Sequence, residues 1–189
     1  MQQVEKEVTL DKDDLFQTLD RTNAWIENCD TKASIILGGI GVVFGIMLTS
    51  ENISKIALIF KHMMDNTGFW TGLHIFLSVI SICGIVVGAL FLLWVLVGKT
   101  DTCTFASKGI TSESLIFFSS VAKESSLQLY KSKLIECSES NWFDEIISQI
   151  FICSIICDKK FKRYKIGLIL SVLGFNLFAV MMIIGICVL

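Results

Sequence analysis

The sequence has 189 residues, of which 53% are hydrophobic and 18% are charged, whereas an ordinary soluble domain has about 25% charged residues. This composition argues against a soluble globular protein, and a formal net charge of −2 excludes the broad basic surface that attracts nucleic acid. Proline is absent from the sequence, although about 5% is usual, so long uninterrupted helices are expected.

Three long segments of the chain contain no Asp, Glu, Lys or Arg. They lie between Lys32 and Glu51, between Asp65 and Lys99, and after Lys165. Each is longer than the roughly 17 residues that a helix needs to cross a bilayer core, and a charge at mid-membrane costs about 2.5–3.5 kcal/mol. We therefore predict an all-α integral membrane protein with three transmembrane helices, at residues 34–50, 69–97 and 166–189.

The distribution of basic residues predicts how the chain is oriented. Of the 16 Lys and Arg residues, only Lys55 and Lys61 lie between the first two spans. Because basic residues stay on the cytosolic side, the N-terminus is predicted to be cytosolic and the C-terminus outside. The non-spanning parts are then a cytosolic amphipathic helix at 1–33, an extracytoplasmic loop at 51–68 and a cytosolic helical region at 98–165. A cleaved signal peptide in place of the first span is disfavoured, because a long charged segment precedes it.

Three helices are expected in the cytosolic parts. Asp11 can cap the first helix, whose apolar face recurs at Leu15, Leu19, Thr22, Ile26 and Cys29. The second helix is expected from Thr111 or Ser112 to about Cys137. The third carries a heptad-like seam at Phe143, Ile147, Ile150, Ser154, Cys157, Phe161 and Tyr164. These helices should form a cytosolic helical bundle that is continuous with spans one and three.

Two patterns of small residues in the spans allow close approach between helices. They are Gly41 with Gly45 in the first span and Gly84 with Gly88 in the second. Packing within one chain and formation of a homo-oligomer are both compatible with these patterns. Polar residues in the second and third spans include His74, Ser78, Ser81, Ser171 and Asn176.

No signature of an enzyme is found in the sequence, and we expect no catalytic activity and no cofactor. A Gly-rich phosphate loop, an H-E-x-x-H motif, a G-x-S-x-G motif and a cytosolic histidine base are all lacking. Cys153 and Cys157 lie four residues apart on one helical face, but a zinc site would need a third and a fourth ligand. Packing is therefore the favoured interpretation of this pair, and no metal is expected.

Charged residues cluster where the first and third spans enter the cytosol. Asp30 and Lys32 precede the first span, and Lys159, Lys160 and Arg163 precede the third. Orientation and headgroup binding explain the basic residues, but they do not explain a carboxylate. Paired with a basic residue, Asp30 could form half of a polar pocket for a small anion such as a cyclic nucleotide phosphate. Spacing alone leaves both interpretations open.

Two groups of motifs resemble a known family of membrane proteins. The first group is the run LDRTNAWI at 19–26, followed by Asp-Thr-Lys-Ala at 30–33. The second group is IFFSSVA at 116–122, Gln-Ile at 149–150, and Lys-Lys-Phe at 159–161 before the last span. Together they resemble the Pycsar transmembrane effectors of the PycTM type, except that Cys29 stands where alanine is expected.

The resemblance implies an antiphage effector of the bacterial inner membrane. In such a system a pyrimidine nucleotide cyclase makes cyclic UMP or cyclic CMP on infection, and the effector responds by impairing the lipid bilayer and aborting infection. On this hypothesis the nucleotide binds near Asp30, Lys32, Lys159, Lys160 and Arg163. Two alternatives are a structural or regulatory subunit of a membrane complex without its own ligand, and a constitutive holin-like pore.

Overall fold

The computed structural model describes residues 11–65, 68–97 and 114–188, and within these ranges the chain forms helices and no strand. In chain order the helices are α1 (Lys12–Met47), α2 (Ser50–Asp65), α3 (Phe69–Leu96), α4 (Phe118–Val121), α5 (Leu127–Glu136) and α6 (Glu139–Val188). The three helices α1, α3 and α6 are long and apolar enough to cross a membrane. The all-helical class and the three apolar helices are thus confirmed. The start expected for a helix near Thr111 lies outside the described residues.

The chain divides into two compact units. Unit 1 contains Met1–Asn28 and Gly98–Lys159, and unit 2 contains Cys29–Val97 and Lys160–Leu189. All three predicted spans fall within unit 2. Helices α1 and α6 each begin in one unit and end in the other without interruption. The lack of proline permits this, because every residue can donate its N–H to the helix ladder.

In unit 1, helix α1 begins as the sequence predicts. Asp11 precedes the first helical residue, and its Oδ1 accepts a hydrogen bond from the Asp13 N–H at 3.4 Å. This interaction satisfies one of the N–H groups that a helix start leaves without a partner. The predicted apolar face is half-buried or buried along its length, at Leu15, Leu19, Thr22, Ile26 and Cys29.

The prediction of a single helix at 112–137 is wrong in the part of that range that the structure describes. The chain forms the short helix α4, leaves the helical conformation at 122–126, and then forms α5. Ser126 explains the new start, because its hydroxyl oxygen accepts a hydrogen bond from the Leu129 N–H at 3.2 Å. A serine cap of this kind starts a helix inside a sequence whose periodicity is continuous.

The seam expected along residues 143–164 is wrong at three of its seven positions. Ile147, Ser154 and Phe161 are exposed. Cys157 is buried as predicted, and the other buried positions of this part of α6 are Ile146, Gln149 and Lys160. Apolar residues surround this stretch on most sides, so periodicity does not select the face that packs.

One face of α3 packs inside unit 2. Its buried positions recur at alternating steps of four and three residues, at His74, Ser78, Ser81, Ile85, Gly88, Leu92 and Val95. This spacing is typical of two long helices that cross at a small angle. The outward positions carry large apolar side chains, among them Trp70 and Trp94, as suits a helix surrounded by lipid.

Helices α3 and α6 approach each other to backbone contact. A Cβ atom on Gly174 would lie 2.8 Å from the Ser81 carbonyl oxygen and 2.9 Å from the Ile85 nitrogen. A Cβ atom on Gly167 would lie 2.9 Å from the Gly88 carbonyl oxygen. No methyl group fits at such distances, so glycine is what permits this approach.

The two glycine patterns of the spans therefore differ in whether they contact another helix of the same chain. Gly88 of the second span lies in the contact with α6. Around Gly41 and Gly45 of the first span, no atom of the described residues lies within 4 Å of an added Cβ. Their face of α1 is open in the single chain, and a homo-oligomer contact there stays a prediction.

The segment expected as a loop at 51–68 is largely helical. Helix α2 occupies Ser50–Asp65 and packs against α3, with Ile59 and Met63 buried. Glu51 and Lys55 form an exposed ion pair one turn apart, at 2.8 Å. The hydrogen bond and the charge of Lys55 lower the pKa of the Glu51 carboxyl group. The connection between the first two spans is thus an amphipathic helix.

Substitution of Gly174 by alanine is expected to destabilise unit 2 by about 1–3 kcal/mol, the usual range for overpacking. The added methyl group would meet the backbone of α3, which cannot withdraw as a flexible side chain does. Gly84→Ala is the matched control, because its Cβ would lie at an ordinary 3.6 Å from the Gly174 Cα. Thermal unfolding in detergent should show a lower midpoint for Gly174→Ala alone, and equal midpoints would contradict the close approach.

Candidate functional site

An ion pair joins α1 to α6 within unit 2. The Lys160 ammonium lies 2.5 Å from Asp30 Oδ1 and 2.7 Å from Oδ2, so it donates to both carboxylate oxygens. The Lys160 side chain is only 8% exposed, and that of Asp30 is 34% exposed. A charge as buried as that of Lys160 is strongly destabilising without a partner, and Asp30 provides one.

An apolar cluster accompanies this pair. It consists of four side chains with no exposed surface, Cys29, Ala33, Leu92 and Val95, and we call it the apolar cluster below. Cys29 precedes Asp30 on α1, and Tyr164, one turn after Lys160 on α6, packs against the cluster. The ion pair and the cluster together fasten α1 to α3 and α6.

Arg163 makes a separate contact with α3. Its guanidinium carbon lies 4.8 Å from the centre of the Trp94 ring, within the range of a cation–π interaction. The sequence does not predict this contact, because the two residues are far apart along the chain and no periodicity relates them. A basic residue near the end of one span and a tryptophan near the end of another are the signal that could have suggested it.

The structure brings two of the predicted site residues into direct contact, namely Asp30 and Lys160. Arg163 lies on α6 in the same unit and contacts Trp94. Lys32 is exposed, and Lys159 is exposed and belongs to unit 1. The ammonium at the centre of the predicted anion pocket is therefore already neutralised by a carboxylate, and the pocket itself stays a prediction.

A second polar cluster fastens the parts of unit 1. Glu145 Oε2 accepts hydrogen bonds from the Ser114 hydroxyl at 2.7 Å and from the Leu115 N–H at 3.2 Å. The buried Gln149 donates from Nε2 to Ser114 Oγ at 3.0 Å. The Tyr130 hydroxyl of α5 donates to the Leu115 carbonyl at 2.9 Å. These groups satisfy one another's hydrogen bonds. The cluster therefore holds the residues that precede α4 against α6, and it holds α5 against those same residues.

Cys153 and Cys157 of unit 1 carry thiols on the same turn of α6. Burial raises the pKa of the Cys153 thiol, and the neighbouring Cys157 raises it further. A thiol that stays protonated is a poor nucleophile and a poor metal ligand. Among the residues that the structure describes, no group of three His, Cys, Asp or Glu side chains could hold a metal ion.

Comparison with known proteins places this chain in a family. The chain matches the Pycsar effector protein domain, PycTM, over residues 14–188. It is 28% identical over 164 residues to the Pycsar effector protein GmPycTM of Gulbenkiania mobilis, a match that covers 82% of this chain and 83% of that protein. No solved structure matches the chain. The ion pair, the apolar cluster and the polar cluster of unit 1 all lie inside the matched range.

The two partners of the ion pair should respond differently to substitution. Asp30→Asn leaves a buried ammonium without a counter-charge, so it should lower the free energy of unfolding by about 3 kcal/mol. Lys160→Met should cost less, because it fills the same space with an apolar side chain and leaves a carboxylate that is 34% exposed. The double variant should recover most of the loss caused by Asp30→Asn.

Unfolding in detergent measures these differences, with Lys159→Met as the control. Lys159 is the exposed neighbour of Lys160, so the same change there should leave stability within about 0.5 kcal/mol of the natural chain. An Asp30→Asn variant as stable as the natural chain would show that the Lys160 charge needs no partner.

Proposed function

The chain belongs to the Pycsar effector family, and we propose that it acts in the bacterial inner membrane, where cyclic UMP or cyclic CMP activates it to impair the bilayer. Membership of the family makes it an antiphage defence effector. The chain has three helices that are long and apolar enough to cross a bilayer. These helices support a site of action in the membrane. The observation that carries the proposal is the ion pair between Asp30 and the buried Lys160, because an anionic ligand would compete with Asp30 for the same ammonium.

We propose that the nucleotide acts by exchange at Lys160. The cyclic phosphate carries a negative charge, and it competes with the Asp30 carboxylate for the same ammonium. Charge-assisted hydrogen bonds contribute about 1.5–3 kcal/mol each, so a phosphate can replace a carboxylate at little net cost. Lys32 and Arg163 add positive charge on the same two helices. Lys159, which belongs to unit 1, stays a sequence-based member of the ligand set.

Exchange at Lys160 would shift the chain between two arrangements of unit 2. In the resting arrangement, Asp30 holds α1 in the position where Cys29 and Ala33 pack against Leu92 and Val95. In the activated arrangement, the phosphate occupies Lys160 and α1 is released from α3 and α6. A ligand favours the arrangement that it binds more tightly, so no catalytic step and no cofactor is needed.

The remaining partners follow from the same proposal. The nucleotide comes from a pyrimidine nucleotide cyclase, the N-terminus lies in the cytosol, and the C-terminus lies outside. Gly41 and Gly45 leave an open face on α1 where a second copy of the chain would form a homo-oligomer.

Binding to the purified full-length chain should distinguish the two sides of the ion pair. Lys160→Met should abolish the rise in thermal midpoint caused by cyclic UMP or cyclic CMP, because the phosphate loses its ammonium. Asp30→Asn should do the opposite and lower the apparent Kd about tenfold, which corresponds to about 1.4 kcal/mol, because the competing carboxylate is gone. Calorimetry in detergent measures both effects.

Cyclic AMP and cyclic GMP are the ligand controls, and Lys131→Met is the matched variant, an exposed lysine of α5. If Asp30→Asn and Lys160→Met weaken binding alike, the pair is only structural and the exchange is wrong. If no cyclic nucleotide binds the natural chain, a ligand-free structural subunit becomes the better interpretation. Expression that depolarises cells lacking a cyclase would instead indicate a constitutive pore.

A kink in α1 beyond the ion pair should separate binding from membrane damage. Ser34 is exposed, and its hydroxyl donates to the Asp30 carbonyl. Ser34→Pro removes one backbone hydrogen bond and costs about 3 kcal/mol in a helix interior. The variant should bind the nucleotide but release less dye from nucleotide-treated liposomes, whereas Ser34→Ala should release as much as the natural chain. Normal release by Ser34→Pro would show that a continuous α1 is not needed.

A further inference from the structure

The contact between α3 and α6 is lined by polar side chains although it lies within apolar helices. We call His74, Ser78, Ser81 and Ser171 the polar lane. All four side chains are at most 7% exposed. Ser81 lies beside Gly174, Gly88 lies beside Ser171, and His74 contacts the backbone of Met181. The lane therefore follows the contact over most of its length.

Two atoms of the polar lane are buried without a hydrogen-bond partner among the described residues. His74 Nε2 lies 2.8 Å from the Met181 carbonyl oxygen. A carbonyl oxygen can only accept, so His74 Nε2 carries the proton that this hydrogen bond needs. Neither His74 Nδ1 nor Ser171 Oγ has a partner. Buried polar atoms are normally paired, so both atoms are left unsatisfied while α3 and α6 are in contact.

The hydroxyl groups of Ser78 and Ser81 satisfy their donors within α3. Ser78 donates to the His74 carbonyl at 2.9 Å, and Ser81 donates to the Ser78 carbonyl at 2.6 Å. Each hydroxyl oxygen keeps lone pairs that can accept from water. From His74 to Gly88, at 1.5 Å per residue, the lane covers about 21 Å of a bilayer core that is about 30 Å thick.

The apolar cluster closes the remaining part of the contact. Leu92 and Val95 follow Gly88 on the same face of α3 and have no exposed surface. A Cβ atom on Gly167 would lie 2.9 Å from Leu92 Cγ, so Leu92 fills the space between α3 and α6 at this point. Leu92 also packs against α1 in the apolar cluster. The ion pair of Asp30 and Lys160 accompanies the cluster, because Asp30 lies between Cys29 and Ala33 on α1. An apolar constriction of this kind excludes water, and with it ions.

We propose that the polar lane is a latent path for water and small ions, closed at one end by Leu92 and Val95. The inference rests on the proposed function, since release of α1 is what would loosen the cluster in the activated chain. The lane carries hydroxyl and imidazole groups and no charged side chain, so it passes small monovalent ions with little selectivity. Hydration of His74 Nδ1 and Ser171 Oγ favours the open form once the cluster is released.

Flux through liposomes tests the path without any nucleotide. The full-length chain is reconstituted in phosphatidylethanolamine and phosphatidylglycerol vesicles that contain a potassium-sensitive dye. Leu92→Ser should raise the rate of potassium entry at least tenfold, because a hydroxyl in the constriction admits water. Leu93→Ser is the matched control, because Leu93 is the next residue on α3 and is 49% exposed, and it should leave the rate unchanged.

A second substitution separates a path from a damaged fold. Ser78→Val fills the lane with an apolar side chain, so the Leu92→Ser/Ser78→Val variant should return to within twofold of the natural rate. Asn176→Val changes an exposed polar residue of α6, so it should leave Leu92→Ser fast. A leak caused by misfolding would persist in both combinations and would overturn the proposal, as would a Leu92→Ser rate equal to that of Leu93→Ser.

Val95→Ser provides an independent opening variant if Leu92→Ser does not reconstitute, and it should also be fast. These results do not depend on a nucleotide. If cyclic UMP and cyclic CMP fail to start flux in the natural chain while Leu92→Ser leaks and Ser78→Val stops the leak, the proposed activation is wrong and the path stands.

Discussion

The buried ammonium of Lys160 is the constraint on which the packing of α1 in unit 2 depends. A charge that is only 8% exposed must have a counter-charge, since an unpaired charge in the interior costs several kcal/mol. Asp30 meets this requirement only at one rotation and one height of α1. That rotation places Cys29 and Ala33, on the neighbouring positions of α1, against Leu92 and Val95. The apolar cluster therefore takes its geometry from an electrostatic requirement.

The contact between α3 and α6 has a different physical basis. Backbone meets backbone at Gly88 and Gly174, and van der Waals contact replaces the hydrophobic effect, which is absent between helices in lipid. Within the described part of the chain, the same contact buries His74 Nδ1 and Ser171 Oγ without hydrogen-bond partners, and buried polar atoms of this kind are costly. The contact thus combines close van der Waals packing with two unsatisfied polar atoms.

Sequence reasoning recovers the features that a single strong pattern determines. Stretches without charge locate α1, α3 and α6, and Asp11 with the apolar steps of α1 gives its start and its buried face. Of the buried positions within residues 143–164, only Cys157 is recovered, because apolar side chains on several sides remove the contrast on which periodicity depends. Nor can the sequence choose between Lys159 and Lys160, which point about 100° apart on a helix. Only the fold decides that Lys160 faces Asp30.

The coexistence of an ion pair and an apolar cluster has a consequence for how the packing of α1 depends on salt concentration. Exposed ion pairs weaken as ionic strength rises, because the Debye length falls to about 3 Å at 1 M salt. Burial of apolar surface does not weaken in this way, and excluded salts and osmolytes strengthen it. Lys160 is shielded from counter-ions by its burial, and the four side chains of the cluster are fully enclosed. The packing of α1 against α3 and α6 therefore rests on two contacts, and neither depends strongly on salt concentration.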